Sequence, residues 1–137
     1  RYEEVLSPGT GDATGERASA LSIDGIEPRS LPSRDRVAVI VRQGQDREAF
    51  SLVNLVGIGG GHWAAPLAKG PDPLGSLAVQ IHTCRPVAHA WWASPDRGDL
   101  NARSLDITVT RHDEEWGISF TLPYLDYWSM IVLEYQE

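Results

Sequence analysis

Sulfur is nearly absent from this chain. Its 137 residues include one cysteine, Cys84, and one methionine, so no intrachain disulfide can form and no disulfide framework holds the fold. A lone thiol leaves both a cytoplasmic and an exported setting open. Basic residues are also scarce: 12 Lys and Arg stand against 19 Asp and Glu, a formal net charge of -7. Nucleic-acid binders carry a basic stripe, and anionic membrane surfaces also attract cations. The balance speaks against both partners and leaves neutral ligands such as sugars open. No apolar run is long enough to cross a bilayer. The chain opens at Arg1 with no signal-peptide pattern, as expected of a mature product or an excised piece.

Helical periodicity is missing too, and strand alternation stands in its place. With 42% hydrophobic and 23% charged residues, the chain fits one globular domain that can bury its own core. Residues 1–36 are broken by Gly, Pro, Ser and Asp and read as an irregular N-terminal segment or linker. Within it "ASALSIDGIE" supplies one short strand, turning at Asp24-Gly25. Residues 37–137 read as the sandwich domain. "RVAVIVRQ" and "REAFSLVNLVG" predict a hairpin of strands 37–42 and 48–56. "GIGGGHWAAPLAKGPDPLG" is a long Gly/Pro loop.

Further strands follow. "SLAVQIHT" places Leu77, Val79 and Ile81 on one face, and "PVAHAWWAS" continues after a turn at Pro86. Residues 103–111 alternate, with Leu105, Ile107 and Val109 facing one way. Residues 115–122 alternate likewise, joined to them by the turn "HDEE". "YWSMIVLEY" is apolar on both faces and predicts a central strand. Seven or eight short strands with turn signals predict an all-β, antiparallel two-sheet β-sandwich.

Catalytic motifs are also lacking. Asp96 and Asp99 share one loop, and Asp113, Glu114 and Glu115 share a turn. Nothing marks either set as the acid/base pair that glycoside cleavage needs, and both read as solvated turns. His82 and His89 flank a turn and could meet across a hairpin, but the spacing is not that of a zinc site. Asp96, Asp99 and Asn101 lack the closing glutamate of a calcium loop. No metal and no cofactor is expected. No nucleophile motif is present, and Cys84 without a placed base reads as inert. "GIGGG" opens no helix and so is no phosphate cradle. Arg97-Gly98-Asp99 is too short to mark an adhesion ligand.

Aromatics are where the sequence is generous, with five tryptophans. Trp91 and Trp92 are adjacent on a strand, so they point to opposite faces and at most one enters the shared core. The other is exposed or covered by a loop. An exposed indole is a surface for a sugar ring to stack on. Trp63, beside His62 in the long loop, is a second such candidate. Packing and loop anchoring are the plainer reading of both tryptophans, ahead of sugar contact. Trp116 and Trp128 share the phase of Ile118, Phe120, Met130 and Val132 and are expected in the core.

Four ordered blocks carry a resemblance. They are "SLVNLVGIGGGHW", "PLGSLAVQI", "WWASPD" and "FTLPYLDYWSMIVLE". Together they are similar to the last domain of glycoside hydrolase family 66, the dextranases and cycloisomaltooligosaccharide glucanotransferases. "YEEVL" and "LSIDGIE" fit the same pattern, so the likeness spans Tyr2 to Tyr135. It implies Greek-key topology and a position after a (β/α)8 catalytic barrel, in a secreted or cell-surface bacterial enzyme acting on α-1,6-glucan. The family's catalytic carboxylates lie in the barrel, for which this chain has no room. The chain is thus expected to be a non-catalytic accessory domain. Its partners would be the barrel and, through Trp91, Trp63, His62 and Asp96, α-glucan such as dextran. The alternatives are a stand-alone carbohydrate-binding module and a small enzyme using His82, His89 or Cys84. Trp92, at the family's apolar position, is the tryptophan expected in the core.

Overall fold

The computed structural model describes residues 11–24, 28–29, 37–57, 70–98 and 101–136. The N-terminal part holds β1 (Gly11–Asp12), one helical turn α1 (Thr14–Arg17), a 3-10 turn (Ala18–Ala20), β2 (Leu21–Ile23) and β3 (Pro28–Arg29). A hairpin of β4 (Val37–Gln43) and β5 (Arg47–Asn54) follows, then β6 (Leu77–Thr83), β7 (Val87–Ala93) and β8 (Arg103–Ser104). The last three strands are β9 (Thr108–His112), β10 (Glu115–Leu122) and β11 (Trp128–Tyr135).

These strands form two sheets. The larger runs β1-β4-β5-β11-β7-β8, with β3 beside β4, and the smaller runs β2-β6-β10-β9. Pairing is antiparallel except for the short β3–β4 contact. The last strand, β11, inserts between β5 and β7. Sequence neighbours are therefore often not sheet neighbours, which is the crossed connectivity of a Greek-key sandwich. The expected all-β sandwich is the fold observed.

Strand alternation makes the core. Leu77, Val79 and Ile81 of β6 are buried, while Ala78, Gln80 and His82 between them are exposed. Ile118, Phe120 and Leu122 bury the matching face of β10. They meet Val39, Val41, Phe50, Leu52, Ile131 and Leu133 of the larger sheet in one cluster. Each such side chain removed from water contributes about 1.5–3 kcal/mol. The β9–β10 turn places Asp113 at φ 56, a left-handed conformation that aspartate tolerates.

Three expectations are corrected. Residues 103–111 are not one strand. Arg103 and Ser104 pair with β7 in the larger sheet, whereas Thr108 onward pairs with β10 in the smaller. The chain changes sheets at residues 105–107, where Leu105 and Ile107 pack against the core, whereas Val109 beyond the corner is exposed. Second, β6 and β7 form no hairpin, because they lie in different sheets. His82 and His89 are both exposed and are not brought together. Third, Trp128 is half-buried and packs with Met130 and Val132 in a separate cluster of the larger sheet, not in the core between the sheets. In a central strand apolar on both faces, phase does not say which face is inside.

Candidate functional site

Trp91 and Trp92 point away from each other, as alternation requires. Trp92 is 3% exposed within the inter-sheet core. Its indole meets the Tyr124 ring edge-on at 5.1 Å, and the Arg103 guanidinium lies 5.8 Å from it. Trp91 is half-buried on the opposite face, packed against the cluster of Ala49, Met130 and Val132. Its ring lies 6.2 Å from that of His89. Trp63 and His62 lie outside the described residues. Trp116 shares the phase of Ile118 but is half-buried and is not among the residues of either core cluster, so the expectation that it lies in the core is corrected too; the Arg111 guanidinium lies 5.2 Å over its ring.

Asp96 sits in the turn after β7, and its carboxylate faces the chain. It accepts the backbone N–H of Tyr127 at 2.8 Å and that of Trp128 at 3.1 Å. Ser94 donates its hydroxyl to the Trp128 carbonyl at 2.7 Å and accepts the Asp96 N–H. "ASPD" thus clamps the first residue of β11. Gly98 at φ +78 closes the turn, a conformation that favours glycine. Arg97 pairs with Asp126 at 2.9 Å and stacks 3.8 Å over the Tyr124 ring. The guanidinium holds the Asp126 carboxyl below its ordinary range. Arg97 and Gly98 therefore have roles within the turn, and Asp99 lies outside the described residues.

Several loops converge at this end of the sandwich on the buried Asn54. Its Nδ2 donates to the carbonyls of Asp72, Leu125 and Asp126, and its Oδ1 accepts the Val56 N–H. Standing out from the same loops is Tyr127, 60% exposed. Among the described Phe, Trp and Tyr residues it is the one that is exposed. No alternation in the sequence around Tyr127 marks it as exposed.

At the other end, Glu48 is 1% exposed and engaged by Arg17, with Nε at 3.1 and 3.2 Å and Nη2 at 3.0 Å. The same Nη2 donates to the His82 carbonyl at 2.8 Å, tying α1 to both sheets. Burial, then the Glu48 charge, pushes the Tyr135 hydroxyl up to about 12. Arg85 lies 4.8 Å over the Tyr135 ring. Glu48 shares the phase of Phe50 and Leu52, and that phase was the available signal for a buried charge. Its partner is an arginine, so this is an ion-pair clasp and lacks the second carboxyl of a hydrolytic pair. Among the described residues no group of three or more His, Cys, Asp and Glu could hold a metal. Cys84 is exposed and unbridged.

The family model for glycosyl hydrolase family 66 matches residues 1–132. The chain belongs to glycosyl hydrolase family 66. Among solved structures, this family 66 chain is similar to a Paenibacillus sp. cycloisomaltooligosaccharide glucanotransferase complexed with cycloisomaltoheptaose. The TM-score is 0.82 at 23% identity, over 96% of this chain and 19% of that one. At that identity the likeness is one of fold. An alpha-L-fucosidase isoenzyme 2 from Paenibacillus thiaminolyticus gives 0.47 at 19% identity, over 86% of this chain and 16% of that one. No curated protein matches. Among the described residues no helix is long and apolar enough to cross a membrane.

Proposed function

We propose that this family 66 chain is a non-catalytic accessory domain of a secreted bacterial enzyme acting on α-1,6-glucan. In this reading it supports a (β/α)8 catalytic barrel of the same polypeptide and contacts glucan through aromatic side chains. Trp91 is the contact on the larger sheet, and the segment with His62 and Trp63 is a second. Asp96 serves the site by fixing the loop beside Trp128.

The observation that carries this is the family match over residues 1–132 in a chain spanning 19% of the length of the solved glucanotransferase. Two measurements on the chain test the proposal. Electrophoresis through dextran-containing gels should retard it, and a reducing-end assay on dextran should read zero. Release of reducing ends would overturn the non-catalytic reading.

A further inference from the structure

We propose that Tyr127 is the stacking platform of a glucan-binding subsite, a site distinct from the tryptophans; the inference rests on the glucan-contacting reading above. Tyr127 combines two properties that rarely coincide. The residue is 60% exposed, yet its backbone is fixed on both sides. The N–H is held by the buried-facing carboxylate of Asp96 at 2.8 Å, and the carbonyl accepts the Asn54 N–H at 2.8 Å. The ring also lies against Gly70: a Cβ built there would sit 2.6 Å from the Tyr127 hydroxyl oxygen and 3.2 Å from Cζ. Gly70 has no side chain to push the ring away. An ordinary surface tyrosine samples several rotamers and loses that freedom on binding. A tyrosine already held in place loses less, which is the energetic value of preorganisation.

An exposed aromatic face suits a hydroxyl-rich ring. Pyranose C–H groups stack on an aromatic face, and the sugar's hydroxyls seek charged or amide partners at its edge. Next to Tyr127 in the chain, Asp126 holds Arg97, whose side chain is 55% exposed. Nε and Nη2 of Arg97 are taken by Asp126, and the guanidinium stacks 3.8 Å over the Tyr124 ring. Trp91 offers less, because it is half-buried against Ala49, Met130 and Val132.

Calorimetric titration of the 137-residue chain with isomaltoheptaose tests the site. Wild type should bind; Tyr127→Ala should weaken binding about tenfold, the loss of one stacking contact. Tyr127→Phe keeps the ring and should bind like wild type. Gly70→Ala should weaken binding by pushing on the hydroxyl. Tyr127→Phe in the Gly70→Ala background should restore it, because the nearest obstructing atom is gone. Thermal unfolding confirms that each variant is folded. Binding by wild type that survives Tyr127→Ala overturns the site alone, as when Tyr127 faces a protein neighbour. No binding by wild type overturns both the site and the glucan-contacting reading.

Discussion

Trp91 and Trp92 stand back to back through the larger sheet, one in each of its two apolar clusters. Trp92 packs in the inter-sheet core against the edge of Tyr124, and Trp91 packs outside on Met130 and Val132. The two substitutions to alanine should therefore differ. Trp92→Ala leaves a large cavity and should lower the unfolding free energy by about 3–5 kcal/mol. Trp91→Ala removes a half-buried ring at a relaxed surface and should cost about 1–2 kcal/mol. Urea unfolding followed by far-UV circular dichroism reads both. Equal losses would contradict the assignment of the two faces.

Asp96 joins its turn to the start of β11 by accepting two backbone N–H groups. Asp96→Ala leaves both donors without their carboxylate and should cost about 2 kcal/mol. Asp96→Asn keeps one acceptor oxygen and should lose less. Hydrogen exchange should show faster exchange at Tyr127 and Trp128 specifically, while β6 and β10 stay protected.

Arg17 and Glu48 should be worth more apart than together. Removing Arg17 leaves a carboxylate that is 1% exposed without its cation, so Arg17→Met should destabilise by about 3–5 kcal/mol. Adding Glu48→Leu to that variant replaces the pair by apolar side chains and should recover most of the loss. A double-mutant cycle measured by urea denaturation gives the coupling directly.

Alkaline unfolding should report Tyr135. Its hydroxyl is raised from 10.0 to about 12 in the fold, chiefly by burial. The folded state then binds its proton more tightly than the unfolded chain does. The resulting stability is fully present below pH 10 and is lost as pH rises through about 12. Two pKa units correspond to about 2–3 kcal/mol. Tyr135→Phe should remove this part of the decline, read as midpoint denaturant concentration against pH.

Much of this architecture was legible because one face of most strands is apolar. Leu77, Val79 and Ile81, or Ile118, Phe120 and Leu122, mark their strands by alternation alone, and the β4–β5 hairpin is marked by its β-branched run and the turn after it. The corner at residues 105–107 was not legible, because Leu105 and Ile107 keep the same alternation while the pairing partner changes. Trp128 was misplaced because β11 is apolar on both faces, so its phase fits either side. At the candidate site, the split of Trp91 from Trp92 followed from strand geometry. The exposure of Tyr127 did not, since it depends on Asp96, Asn54 and Gly70, which lie 31, 73 and 57 residues away in the chain. Buried Glu48 was visible in its phase with Phe50 and Leu52, but its partner Arg17 came from an N-terminal stretch that reads as linker.

The central claim is that this domain holds α-1,6-glucan without cleaving it. Saturation-transfer difference NMR on isomaltoheptaose mixed with the chain reads both halves in one sample. The account predicts transfer to the sugar's ring protons, with the ratio of α-1,6 to reducing-end anomeric signals unchanged over time. Growth of the reducing-end signals, or no transfer at millimolar sugar, would contradict it.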